Sequence, residues 1–151
     1  MSAYVAHLRS LVGTTPLHMP TACVLVRDGA GRFLFVRQAE SALWSVPGGA
    51  VEPGEAPDEA AQREALEETG LEVAVTSLRA AIGGERCRTV YSNGDVLTYV
   101  AIVYDAVVIG GQERADGEEI SALGWFAPAE VANLEHEAFI DILLEGGLLS
   151  A

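Results

Sequence analysis

The chain has 151 residues, half of them hydrophobic, with 22 acidic side chains against nine arginines, no lysine, and a net charge of −13. That length suits one domain, residues 1–151, able to bury about 68–70% of the unfolded chain's surface without staples, and the composition is globular and not disordered. So acidic a chain lacks the basic footprint that nucleic acids or anionic membranes require, and neither is an expected partner.

In chain order, Ser2 to Val12 predicts an amphipathic helix stopped at Gly13, and with Pro16 it forms a lead-in over residues 1–19. Thr21 to Arg27 and Arg32 to Gln38 read as two strands joined by Asp28-Gly29-Ala30-Gly31, a hairpin signal. Trp44 to Val46 is a brief strand before a Pro47-Gly48-Gly49 loop, with Trp44 read as core. The next helix is sharply specified. Pro57 suits its first position, Asp58 and Glu59 favour the N-terminal dipole, and Gly70 terminates it. Ala60, Ala61, Ala65 and Leu66 are its expected packing face.

Glu72 to Ile82, Glu85 to Tyr91 and Val96 to Val108 read as strands, with Asn93-Gly94 favouring a type I′ turn between the last two. Ile120 to Phe126 is a final strand, and Pro128 to Asn133 and Glu135 to Leu144 are helices. Strands interleaved with helices imply an α/β domain on a mixed sheet. Cys23 and Cys87 are not spaced as metal ligands and read as reduced, packed thiols. No secretory signal is apparent, and the longest apolar stretch is too short to span a bilayer, so the expected location is cytoplasmic.

Within the sharply specified helix, Glu64, Glu67 and Glu68 fall at i, i+3 and i+4 and crowd one face. Two like charges about 4 Å apart cost roughly 4 kcal/mol at an effective dielectric near 20. Arg63 can relieve one of them, Glu67 at i+4 being the obvious partner, but not all three. A solvated glutamate face is the bland alternative. Hard divalent cations, held by carboxylates and substrate phosphates, are the other account.

The full pattern decides between them: Gly49, five residues, Glu55, seven residues, then Arg63-Glu64-Ala65-Leu66-Glu67-Glu68-Thr69-Gly70-Leu71. This resembles the box of the Nudix hydrolases at every fixed position. The resemblance implies an α/β/α sandwich carrying the box as loop–helix–loop, and hydrolysis of a nucleoside diphosphate linked to another group, with Mg2+ as cofactor and Mn2+ as substitute. It makes Glu64, Glu67 and Glu68 metal ligands together with the Gly48 carbonyl. Glu64 is a ligand or the general base. Glu55 and Arg63 are supporting residues. Glu119, in Asp116-Gly117-Glu118-Glu119, resembles the family's extra loop glutamate, as water-bridged ligand or general base, with Glu118 in reserve.

Arg37 and Arg88 are the expected substrate contacts. The signatures of the coenzyme A, NADH and ADP-ribose subgroups are missing, so nucleoside triphosphates and nucleotide sugars stay open. A homodimer is a family-level expectation. The competing reading is a Nudix domain that senses nucleotides without turnover; intact box glutamates speak against it.

Overall fold

The structure, a computed structural model, describes residues 2–150; residues 1 and 151 of the expected domain lie outside the described residues. The elements run α1 (Ala3–Val12), β1 (Leu17–Val26), β2 (Phe33–Gln38), β3 (Trp44–Ser45), β4 (Gly48–Ala50), α2 (Pro57–Thr69), β5 (Leu71–Ile82), β6 (Arg88–Val90), β7 (Val96–Gly111), β8 (Ile120–Phe126), α3 (Pro128–Val131) and α4 (Ala138–Glu145). The order is that of an α/β fold, as expected. Among the described residues no helix is long and apolar enough to cross a membrane.

Strand β7 is the spine. It pairs in parallel with β1, from Leu17 opposite Leu97 to Val26 opposite Ala106. Its other edge pairs antiparallel with β6 near Val96 and with β5 farther along. Strand β4 joins the far edge of β1 antiparallel, with Thr21 opposite Ala50. This gives a mixed five-stranded sheet, beside which β3, β2 and β8 form a separate antiparallel sheet. The expected β1–β2 hairpin is therefore corrected: only an isolated Arg27–Phe33 bridge joins the two strands, which belong to different sheets. The physical reason is burial on both faces. Cys23 through Val26 and Phe33 through Val36 are all buried, whereas a one-sided hairpin would alternate.

Alternate side chains of these strands feed two cores. Ala22, Val24, Val26 and Leu34 pack with Ala60, Ala61 and Ala65 of α2. Cys23, Leu25, Phe33 and Phe35 pack with Ile140 and Leu143 of α4 on the opposite side. Helices thus cover both faces, which is the α/β/α arrangement. Alanines on α2 let the helix lie close on the sheet. Leu66, expected in that face, is instead exposed. Trp44 is packed in the second core, 5.0 Å edge-to-face from Phe126.

Three further expectations are revised. The Pro47-Gly48-Gly49 loop is largely strand β4, and β1 starts at Leu17, within the expected lead-in. The β6–β7 turn is not type I′. Gly94 has φ 89° while Asn93 is not in the left-handed region, and Gly94 N–H bonds Tyr91 O at 3.0 Å, so a three-residue loop closes the hairpin. Helix α1 has no fully buried residue and is tied down by Arg9, which donates to Thr15 O at 2.7 Å and Val96 O at 2.6 Å and lies 3.6 Å from Asp95.

Candidate active site on helix α2

Helix α2 is set rigidly at both ends. Glu59 reaches back to accept the Ala56 N–H at 3.2 Å. Gly70 takes the left-handed conformation, φ 73°, and its N–H caps Leu66 O at 2.9 Å. Between these ends the glutamates fall into two environments.

Around Arg63 three carboxylates share one cation. Its guanidinium reaches Glu55 at 2.7 and 3.0 Å, Glu64 at 3.0 Å, Glu67 at 3.3 Å and the Ala50 carbonyl at 3.1 Å. The expectation of a single partner is thus exceeded. Glu55 is further fixed by accepting the Glu52 N–H at 3.2 Å, and its pKa is lowered, chiefly by the hydrogen bond from Arg63. Glu67 is largely exposed. Glu64 faces inward, and burial raises its pKa even against the guanidinium. A Cβ on Gly49 would sit 2.5 Å from the Glu64 carboxylate, so only glycine lets that side chain approach the strand.

Glu68, one helical position on, has no such relief. It is 6% exposed, one oxygen has no hydrogen-bond partner, and a hydrogen bond from the Gly48 backbone moderates its charge in part. Burial first, and the neighbouring Glu64 charge second, push its pKa well above the ordinary carboxylate value. A Cβ on Gly48 would meet Ala22 O at 2.5 Å, so the β1–β4 pairing requires glycine there and keeps that backbone beside Glu68.

Glu119 is brought to the same place from the loop before β8. Asp116 Oδ1 accepts the N–H groups of Glu118, Glu119 and Ile120 at 2.8, 3.0 and 2.9 Å, and Ala39 N–H bonds Glu119 O at 2.8 Å. The charge of Glu119 raises the pKa of both Glu64 and Glu68, and Asp116 adds to the effect on Glu68. The part Asp116 plays in folding the loop is local, its carboxylate reaching N–H groups two to four residues ahead, and the Asp116-Gly117 pair is the turn signal for it.

No three carboxylate, histidine or cysteine side chains among the described residues converge as a ready-made cage, because Arg63 draws Glu64 and Glu67 to itself. The donor set still suits a hard cation: it is all oxygen, and it contains a buried carboxylate oxygen with nothing to bind.

The two expected substrate arginines are not gathered with these groups. Arg37 is exposed and donates to the Ala42 carbonyl at 3.1 Å, and Arg88 is exposed on β6. Their neighbours Gln38 and Thr89 line the cavity beside Gly48 and Gly49 instead. Successive strand residues face opposite ways, so Gln38 and Thr89 line it where Arg37 and Arg88 do not.

A family model of the NUDIX domain matches residues 17–145. The chain belongs to the Nudix family. It is 36% identical over 131 residues to a MutT-like protein of Streptomyces ambofaciens, covering 86% of this chain and 77% of that one. It is 37% identical over 110 residues to a Bacillus subtilis (strain 168) protein assigned provisionally as an 8-oxo-dGTP diphosphatase, covering 73% and 67%. In fold it is similar to the MutT protein of Methanosarcina mazei Go1, with a TM-score of 0.71 at 22% identity, over 87% of this chain and 94% of that chain. As a Nudix family member the chain is an enzyme of the pyrophosphohydrolase class.

Proposed function

We propose that this Nudix enzyme, a single domain over residues 1–151, hydrolyses the pyrophosphate bond of a nucleoside diphosphate linked to another group, with nucleoside triphosphates as the favoured substrates. The observation that carries the reading is the buried, partnerless oxygen of Glu68 beside Glu64 and Glu119. An uncompensated buried carboxylate is costly, and a helix keeps one where a ligand repays it. The relatives assigned as an 8-oxo-dGTP diphosphatase and as the nucleoside triphosphatase NudI of Escherichia coli K12 support the substrate class.

Glu64, Glu67 and Glu68, with the Gly48 carbonyl, would hold the divalent ion, Mg2+ by preference with Mn2+ able to replace it. When bound, such an ion neutralises phosphate oxygens and acidifies water. The residues do the rest. Arg63 and Glu55 keep Glu64 and Glu67 from splaying apart. Glu119 or Glu64 takes the proton of the attacking water as its oxygen bonds to phosphorus and the bridging P–O bond breaks. Arg37 and Arg88 reach the substrate only by side-chain movement.

The acidic surface favours a small nucleotide over a nucleic acid, and the buried, unpaired Cys23 and Cys87 suit a reducing cytoplasm. A dimer rests on the family resemblance alone and is read by sedimentation. Phosphate and pyrophosphate release over a panel of nucleoside triphosphates and nucleotide sugars, with and without Mg2+, tests the function. Metal-dependent release is the expected result; tight metal-dependent binding with no product would replace hydrolysis by sensing.

A further inference from the structure

Gly48 and Gly49, which lie against Glu68 and Glu64, also line a cavity of about 180 Å3. A cavity of ~150 Å3 holds a benzene ring, so this one has room for a single flat heterocycle. Tyr99 and Phe139, edge-to-face at 5.9 Å, give it an aromatic wall, and Gln38, Ser45 and Thr89 give it polar edges. No arginine lines it. A phosphate therefore has no counter-charge there, and the part of a substrate that enters is the part without phosphate.

Glu137 is the one charged side chain among the lining residues. Its backbone is pinned at the start of α4, with Glu137 N–H on Trp44 O at 3.0 Å and Ile140 N–H on Glu137 O at 3.0 Å. Its half-buried carboxylate has no hydrogen-bond or ion-pair partner among the described residues, and burial alone raises its pKa. Among the described residues no cation offsets that cost. A carboxylate only accepts hydrogen bonds, and its two oxygens are best met by two adjacent N–H groups. Guanine offers that pair, N1–H beside the N2 amine, on its pairing edge. Adenine and cytosine present a donor beside an acceptor, and uracil a donor between two acceptors; each would point a lone pair at a carboxylate oxygen.

We propose that this cavity is the base pocket of the substrate and that Glu137 selects guanine by accepting both N–H groups of its pairing edge. The proposal rests on the hydrolytic reading above and names the substrate within it.

The test compares kcat/KM for GTP, dGTP, ATP, CTP and UTP with Mg2+, in wild type and Glu137→Gln, alongside metal-free equilibrium binding of GMP and AMP. Glutamine keeps the shape but swaps one acceptor for a donor. The expected result is a guanine preference that falls about 10- to 100-fold in the variant, through KM and not kcat, with adenine gaining relative to guanine. Hydrolysis of all bases at equal efficiency by wild type, or a guanine preference unchanged in Glu137→Gln or Glu137→Ala, overturns the pocket and leaves pyrophosphohydrolysis standing. If no nucleotide is hydrolysed, the functional reading fails and binding decides the pocket: GMP favoured over AMP, with the preference lost in the variant, upholds it, and equal or absent binding overturns it.

Discussion

Helix α2 carries two acidic neighbourhoods within one turn, and they are balanced differently. At Arg63, one guanidinium serves Glu55, Glu64 and Glu67, so each of these carboxylates has a cationic partner inside the protein. At Glu68, a carboxylate is buried against the Gly48 backbone with Glu64, Glu119 and Asp116 as its charged company, all of the same sign. The first arrangement holds shape. The second is unstable by itself, and its electrostatics invite a cation. Counting glutamates on the helix would miss this division, because it depends on which of them the arginine can reach.

The largest effect should come from the unbalanced side. Glu68→Gln should lower metal-dependent turnover roughly 100- to 10,000-fold with the fold intact, measured by steady-state kinetics beside circular dichroism. Glu64→Gln should fall in the same range; near-wild-type turnover in either would show that the buried carboxylates are not the working ones. On the balanced side, Arg63→Met should cost both activity and stability. Urea unfolding should show a loss of about 1.5–3 kcal/mol, the charge-assisted hydrogen bonds being discounted for partial exposure. A loss of activity with no loss of stability would mean that Arg63 touches substrate instead of tying glutamates.

Asp116→Ala should have a smaller effect. It releases three N–H groups of the Glu119 loop and should lower kcat about tenfold or less, since partial relaxation can still present Glu119. An unchanged kcat would detach that loop from the chemistry.

The smallest effect concerns pH. Because burial raises the folded pKa of Glu68 above its ordinary 4.5, the folded state holds that proton more tightly than the unfolded chain does. Its favourable contribution is present below the unfolded value and is lost as pH rises through the folded value. Metal-free Glu68→Gln should therefore melt higher than wild type near neutral pH, by about 2–4 °C for each kcal/mol recovered, with the gap closing as pH falls below the unfolded value. Added Mg2+ should stabilise wild type more than the variant. Differential scanning fluorimetry across pH reads both.

Much of this was legible from local signals. Helix α2 follows from Pro57, the acidic first turn and Gly70, and β8 spans Ile120–Phe126 as its pattern predicts. The separation of β1 from β2 was written in their unbroken apolar runs, yet the Asp28–Gly31 turn chemistry spoke louder. The turn is genuine, with Asp28 accepting from Ala30 and Arg32, but it joins two sheets. Asn93-Gly94 signalled a hairpin correctly and its geometry wrongly, because the turn type depends on the number of loop residues. The box drew attention to Glu55, Arg63 and Glu68, which the structure shows as an ion pair and a buried carboxylate. Glu137 carried no signal at all: it reads as one more glutamate in an amphipathic helix, and only the meeting of β1, β2, β3, β4, β6, β7 and α4 makes its surroundings a cavity.

The attachment of α1 has a practical corollary. Arg9 grips Val96 and Asp95 at the tip of the same ribbon whose Thr89 and Leu97 flank the cavity, while no side chain of the helix is fully buried. One side chain is thus the rivet between a surface helix and the rim of the cavity. Load placed on that helix, by a fusion tag or by removal of the first dozen residues, is transmitted to the rim, so kinetic comparisons belong on a protein whose N-terminal end is left untouched.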